Sequence, residues 1–162
     1  MKRHFIIPDT QVRPGVPLDH MDWIGRALVD YRPDVIVHLG DHWDMPSLSM
    51  HDGPGSLRME GARYEDDVKV GNDAFERLCL PMEREQARLI RNKEKQWRPD
   101  KIFLRGNHEH RIQRAVNASP KYAGTIGEHH LRIRDWDGYG FLERVWVDGL
   151  LYSHFFQASH SS

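Results

Sequence analysis

Two stretches of this sequence follow one pattern: YRPDVIVHLGDH at residues 31–42 and WRPDKIFLRGNH at residues 97–108. They align without a gap at a constant offset of 66 residues. In each stretch an aromatic residue, an Arg-Pro-Asp turn and an apolar run lead to glycine, then to Asp or Asn, and then to histidine. Because glycine permits a sharp turn and a close approach of the backbone to a ligand, the shared ending indicates two strands that finish in the same kind of turn.

Strands alternate with helices along the first two thirds of the chain. Runs at residues 5–7 and 102–104, which are apolar, and at residues 35–39, which is nearly all apolar, predict three buried strands. A helix capped by Asp19 is predicted before Pro33, and a longer helix over about 59–96, where Pro81 should kink or divide it. This order predicts an α/β fold in a single domain over residues 1–162, with a helical insertion at about 57–97.

Three further segments predict two loops and a β-hairpin. Residues 45–56 are rich in Gly, Pro and Ser and predict a loop, and WDGYG at residues 136–140 also has the pattern of a loop. The segment VWVDGLLY at residues 145–152 predicts a β-hairpin, since Asp-Gly suits a two-residue type I′ turn.

Composition narrows the class of protein. The net charge of −1 disfavours a nucleic-acid binder held mainly by charge, and only one cysteine, Cys79, is present. A single cysteine excludes an internal disulfide framework and fits a reducing, cytoplasmic location. The sequence contains neither a signal peptide nor an apolar run long enough to span a membrane. Histidine is frequent at 11 residues, which favours metal binding or proton transfer.

Side chains that bind metals follow the predicted strands and the hairpin. They are Asp9 and Gln11, then Asp41, His42 and Asp44, then Asn107, His108, Glu109 and His110, and finally His154. Ligands of open α/β sheets bind at the carboxyl ends of the strands, so these residues predict one site at one edge. Carboxylates, an amide and imidazoles suit Mn²⁺, Fe or Zn²⁺. Two such ions need a carboxylate between them, and Asp41, which follows the central strand, is the natural bridge.

Four motifs carry a resemblance to a known family. Asp9-Thr10-Gln11, Gly40-Asp41-His42-Trp43-Asp44, Gly106-Asn107-His108-Glu109 and Ser153-His154 resemble, in this order, the motifs of calcineurin-like metallophosphoesterases. The resemblance covers about residues 5–156, and the helical insertion with the Gly-Asn-His-Glu-His-Arg continuation is most similar to members from bacteriophages. It implies a layered α/β(β)α fold and hydrolysis of phosphomono- or phosphodiesters.

The resemblance also implies a role for each site residue. Asp9 and Gln11 would bind the first of two divalent ions, Asp41 would bridge both, and Asn107 and His154 would bind the second. A hydroxide shared by the ions would be the nucleophile. His108 would be the general acid, with Asp44 holding its ring. Mn²⁺ is the expected metal, with Fe, Zn²⁺ and Ni²⁺ as alternatives.

The sequence departs from the family pattern at two places. Many members have histidine at the position of Gln11, whose amide oxygen is a weaker ligand than imidazole. The family also has a later Gly-His-x-His segment, whereas this chain ends eight residues after His154 with His160 as its only further histidine. We therefore expect a fold that is incomplete at its C-terminus, with Phe155 and Phe156 on an exposed edge.

Three functional hypotheses follow. The first is a phosphoesterase whose substrate is a small phosphoester, a nucleotide or a nucleic-acid end. The second is a truncated, non-catalytic fragment that serves as an interaction module. The third uses His42 and Asp44 with a distant histidine as the facial triad of a non-haem iron oxygenase, but such triads belong to all-β folds. The sequence does not predict an oligomeric state.

Overall fold

The computed structural model describes residues 2–49 and 60–156. Its centre is a parallel sheet of four strands: β1 (His4–Ile7), β2 (Val35–His38), β3 (Asp100–Leu104) and β4 (Asp137–Tyr139). The strands lie in chain order, with His4 opposite Val35 and Ile102 opposite Asp137. The predicted α/β class is thus confirmed. Within the described ranges, every helix is too short or too polar to cross a bilayer.

The fourth strand corrects the sequence interpretation of residues 136–140 as a loop. β4 is only three residues long and includes Gly138, so it lacks the apolar run that identifies the other three strands. It pairs with β3 through Phe103 opposite Gly138 and Leu104 opposite Tyr139. The pairing with an existing edge, rather than local propensity, makes this segment a strand.

Within the described ranges, three α-helices connect the strands: α1 (Asp19–Tyr31), α2 (Tyr64–Arg91) and α3 (His110–Ala118). The prediction that Asp19 caps α1 is wrong, since the N-cap is Leu18 and makes no side-chain capping bond. Asp19 instead lies in the first turn, where the positive end of the helix dipole stabilises its carboxylate.

Helix α2 is shorter than the predicted 59–96, and residues 50–59 lie outside the described ranges. Of the two predicted effects of Pro81, the division is wrong, because α2 is one continuous helix of 28 residues, and the kink stays a prediction. The ring of Pro81 packs against Gly25 of α1, where an added Cβ would lie 2.9 Å from the proline Cγ. Tight packing between the two helices therefore offsets the missing backbone donor.

The two faces of the sheet bury separate apolar clusters. Helices α1 and α2 cover one face, where Leu28 and Phe75 pack with Ile36 and Phe103. The other face buries Val35, Val37, Ile102 and Leu104 against Val145 and Tyr152. Strand β2 is buried on both faces, as its continuous apolar sequence predicts.

Val145 and Tyr152 belong to the predicted hairpin, which the structure confirms as β5 (Val145–Val147) and β6 (Leu150–Tyr152). Asp148 and Gly149 have φ values of 49° and 81°, and positive φ at both positions is typical of a type I′ turn. The outer side chain of Trp146 is 70% exposed, and Phe155 and Phe156 beyond the hairpin are each 54% exposed. The fold thus has three layers, which are helices α1 and α2, the four-stranded sheet, and the hairpin of β5 and β6.

Trp43 links the loop after β2 to helix α2. Its indole is fully buried and stacks on Phe75 with ring centroids 5.8 Å apart. It also lies directly over Gly71, where an added Cβ would collide with indole atoms. Glycine at position 71 is thus required by close packing, although it is unfavourable in a helix interior.

We expect Gly71→Ala to lower the free energy of unfolding by about 1–3 kcal/mol through overpacking against Trp43. This range is the net change, after the gain in helix propensity of about 1 kcal/mol is included. Urea denaturation measures the change. Asp73→Ala, at an exposed position on the same helix, is the control and should change stability by less than about 0.5 kcal/mol. Equal stability of the Gly71→Ala and Asp73→Ala variants would contradict the packing argument.

Candidate metal centre

The glycine turns after β2 and β3 lie against each other at the carboxyl edge of the sheet. Gly40 has a φ of 97°, and a Cβ there would lie 2.6 Å from the backbone nitrogen of Gly106. A Cβ on Gly106 would in turn collide with a carboxylate oxygen of Asp41. The two repeated turns are therefore in direct contact, and this contact explains why both contain glycine.

Three of the predicted metal ligands meet at this edge. Asp9, Asp41 and His154 each offer one ligand atom, and these atoms all lie within 4.8 Å of one another. Asp9 is exposed and follows β1, whereas Asp41 is buried and follows β2. His154 comes from beyond β6, so it reaches the site from the hairpin layer rather than from the four-stranded sheet.

The tautomer of His154 is set by its hydrogen bond to the backbone. Its Nδ1 lies 2.6 Å from the carbonyl oxygen of Leu39, so Nδ1 is the donor of this bond. The lone pair of Nε2 then faces oxygen atoms, with Asn107 Oδ1 at 3.2 Å and Asp41 Oδ2 at 3.6 Å. With Nδ1 engaged, the imidazole nitrogen, the amide oxygen and the carboxylate can together ligate a cation, and the backbone bond is the usual second partner of a metal-binding histidine.

His108 and Asp44 form a close pair beside this cluster. The ring Nδ1 of His108 lies 2.7 Å from Asp44 Oδ1, and its Nε2 lies 3.8 Å from Asp41 Oδ2. The hydrogen bond with Asp44 raises the pKa of His108 above its ordinary value, against the opposing effect of burial. Burial alone would raise the pKa of Asp44, but the bond with His108 and the nearby positive charges lower it. The pair therefore favours a protonated ring next to a carboxylate.

Two arginines border the pair. Arg111 Nη1 donates to the carbonyl oxygens of Asp44 at 2.8 Å and of Met45 at 3.3 Å, so it fixes the backbone of this loop. Arg13 Nη1 lies 3.5 Å from Asp44 Oδ2, and its side chain is 57% exposed. Arg13 is thus the more accessible cation at this end of the site.

The remaining predicted ligands lie on the same turns. Gln11 has a φ of 41° and an exposed side chain, and its backbone N–H donates to Asp41 O at 2.9 Å. Asn107 is exposed on the turn after β3. The roles of both as metal ligands stay predictions. His160 lies outside the described residues.

Sequence reasoning grouped Glu109 with the ligands, but the structure gives it a different position. Its carboxylate is fully buried and accepts four backbone N–H groups. Oε2 accepts from Asp41 at 3.0 Å and Gly106 at 2.7 Å, and Oε1 accepts from His42 at 2.7 Å and Trp43 at 3.0 Å. Burial raises the pKa of Glu109, whereas these N–H groups lower it. Glu109 thus ties the two turns together, a role for which the sequence carries no local signal.

His42 is also occupied inside the core rather than at the site. Its Nδ1 lies 2.7 Å from Thr10 Oγ1 and its Nε2 lies 2.9 Å from the carbonyl oxygen of Gly71. Thr10 Oγ1 is also 3.3 Å from His38 Nε2, so both buried histidines support the loop after β1. With both ring nitrogens engaged and an α/β fold around it, His42 does not fit the facial triad of the oxygenase hypothesis.

Comparison with known families supports the assignment that this geometry suggests. The calcineurin-like phosphoesterase family, Metallophos, matches the chain over residues 4–158, and the chain therefore belongs to this family. The family is one of metal-dependent phosphoester hydrolases, so the class of chemistry predicted from the motifs is supported. Searches of the curated proteins and of the solved structures found no match.

We expect Glu109→Gln to weaken Mn²⁺ binding by about tenfold or more and to lower the free energy of unfolding by about 2–4 kcal/mol. The amide places a donor against two backbone N–H groups, which then lie buried without an acceptor. Isothermal titration calorimetry measures the affinity and urea denaturation measures the stability. Glu76→Gln, at an exposed position on α2, is the control. Unchanged affinity in folded Glu109→Gln would show that the clamp does not position the ligands.

We expect the metal-free protein to lose stability as the pH falls below about 6.5. Burial lowers the pKa of His38 well below its ordinary value and that of His42 to about 4. Histidine in the unfolded chain has a pKa of about 6.5, so below this pH the unfolded chain takes up protons that the folded chain does not. The free energy of the unfolded state therefore falls relative to that of the folded state.

Urea denaturation in chelator at pH 7.5 and pH 5.5 measures this loss. His38→Phe keeps an aromatic ring next to Phe75 and Phe103 but cannot be protonated. We expect a smaller loss between the two pH values in this variant than in the wild type, even though it is less stable at pH 7.5 because Gly40 N–H loses its acceptor. An equal loss in both proteins would contradict the argument.

Proposed function

We propose that this chain hydrolyses phosphomono- or phosphodiester bonds with two divalent ions held by Asp9, Gln11, Asp41, Asn107 and His154. The observation that supports the proposal most directly is the cluster of acceptors around His154 Nε2, which faces oxygen atoms of Asn107 and Asp41. Mn²⁺ fits best, because the donors are carboxylate and amide oxygens with imidazole and no thiolate. When bound, the ions supply Lewis acidity, which lowers the pKa of water and polarises a phosphoryl group.

His108 is proposed as the general acid of this reaction. A water oxygen forms a bond to phosphorus and releases one proton to solvent, the bond from phosphorus to the leaving oxygen breaks, and the proton on His108 Nε2 passes to that oxygen. His108 then regains a proton from solvent. Asp44 holds Nδ1 through the 2.7 Å contact, so Nε2 is directed towards the side of Asp41. The raised pKa of His108 keeps the ring protonated closer to neutral pH, as a general acid requires.

Binding without catalysis is the second candidate function. Its support is a set of exposed apolar side chains on the hairpin and directly after it, where Trp146, Leu150, Phe155 and Phe156 are each more than half exposed. Exposed apolar surface is typical of interaction sites when it forms one large patch.

Hydrolysis of bis(p-nitrophenyl) phosphate with Mn²⁺ separates the two functions. We expect turnover that is lost on chelation and in Asp41→Asn and retained in Asp73→Asn, a matched change at an exposed carboxylate outside the site. Absence of turnover from folded protein that binds Mn²⁺ would contradict the proposed activity and favour the binding function.

The leaving group tests the role of His108. We expect His108→Asn to lower kcat by about 10²–10⁴ for a methyl phosphodiester, whose alkoxide needs a proton. The loss should be much smaller for a p-nitrophenyl ester, because p-nitrophenolate leaves without one. Equal losses for both esters would show that His108 acts in another way.

A further inference from the structure

An aromatic pair lies beside the candidate metal centre. The rings of His110 and Phe141 are stacked, with centroids 4.8 Å apart and planes inclined by 24°. The ring of Phe141 also lies 6.2 Å from that of His154. Both members of the pair are half-buried, so each keeps some solvent-exposed surface. We call His110 and Phe141 the aromatic wall.

A specific turn holds Phe141 in this place. The Glu143 N–H donates to Gly140 O at 3.0 Å, and the Glu143 carboxylate accepts from the N–H of Gly140, so the turn is closed at both ends. Ser153 Oγ, directly before His154, donates to Glu143 O at 3.3 Å. The turn is therefore attached to the segment that carries a metal ligand.

The residue after Phe141 adopts a strained backbone. Leu142 has a φ of 68°, a left-handed conformation that is uncommon for residues with a side chain. Its side chain is 49% exposed, so burial of leucine does not compensate for the strain. Strained residues in a well-bonded turn occur at functional sites. Here the strained residue directly follows Phe141, whose ring lies beside that of His154.

The wall lies at one end of a chain of contacts through the site. The chain runs from His154 to Asp41 at 3.6 Å, from Asp41 to His108 at 3.8 Å, and from His108 to Asp44 at 2.7 Å. Arg13 lies at the far end, 3.5 Å from Asp44. The aromatic pair and the accessible guanidinium thus contact different members of this chain, the pair next to His154 and Arg13 next to Asp44.

From this arrangement we infer that the aromatic wall is a specificity element that favours phosphoesters carrying a planar aromatic group, such as a nucleobase. The inference rests on the proposed function and adds the substrate class, a nucleotide or a nucleotide end. Apolar and aromatic contact with a base requires neither a basic surface nor a particular base, which agrees with the net charge of −1. Arg13 would contribute charge alone, and would act equally on ligands with and without a base.

A matched pair of ligands tests the inference by binding rather than by turnover. AMP and ribose 5-phosphate share the phosphate and differ by the base. Their dissociation constants are measured by calorimetry with Mn²⁺ in the His108→Asn background, which slows hydrolysis and keeps the wall intact. We expect AMP to bind about tenfold more tightly than ribose 5-phosphate.

Variants of the aromatic wall should reduce the ratio of the affinity for AMP to the affinity for ribose 5-phosphate. We expect Phe141→Leu to lower the ratio about three- to tenfold by weakening AMP binding alone, and Phe141→Trp to restore it. Arg13→Gln should weaken both ligands and leave the ratio unchanged. Trp146→Leu, which removes an exposed aromatic ring from the hairpin, is the matched control and should change neither affinity.

Two outcomes would overturn the inference: equal affinity for the two ligands in the starting protein, or an unchanged ratio in Phe141→Leu. If Phe141→Leu does not fold, His110→Ala removes the other half of the wall, and an unchanged ratio there has the same meaning. Failure of the proposed function would give a different result: bis(p-nitrophenyl) phosphate would not be hydrolysed, but AMP would still bind more tightly than ribose 5-phosphate.

Discussion

The buried carboxylate of Glu109 is the constraint on which the site depends. It accepts N–H groups from Asp41, His42 and Trp43 on one turn and from Gly106 on the other. A buried carboxylate is costly unless its oxygens are satisfied, and four donors satisfy both of them. Because the donors come from two turns that are distant in sequence, the carboxylate can be satisfied only when those turns lie together. The spacing of Asp41 and Asn107 follows from that requirement.

The helical layer supports the same turns from behind. His42 bonds to the backbone of Gly71, Trp43 packs over that glycine, and Ser47 N–H donates to Asp67 at 2.9 Å. The first half of α2 therefore fixes the loop that contains Asp41 and Asp44. His154 reaches the site from the hairpin layer on the opposite face, and its ring forms a hydrogen bond with the carbonyl oxygen of Leu39, directly after β2. All three layers contribute to one edge.

The charge distribution at this edge has a clear order. Acceptors surround His154 Nε2, where a cation is favoured, and the His108–Asp44 pair lies next to them with its ring biased towards protonation. Arg13 contacts Asp44, and the His110–Phe141 pair lies beside His154. A cationic side chain, a histidine biased towards protonation and an aromatic pair thus accompany the ligand cluster at this edge of the sheet.

The sequence by itself determined the three apolar strands, the type I′ hairpin, the glycine turns and the family, because each depends on local propensity or on a motif of neighbouring residues. Only the tertiary structure decided the rest. β4 forms because β3 offers it an edge, and α2 continues through Pro81 because the ring packs on Gly25. The clamp of Glu109 and the position of Phe141 beside His154 depend on hydrogen bonds and ring contacts between segments far apart in sequence. The periodicity and spacing of the sequence do not predict such contacts, because the contacts form only when the layers pack together.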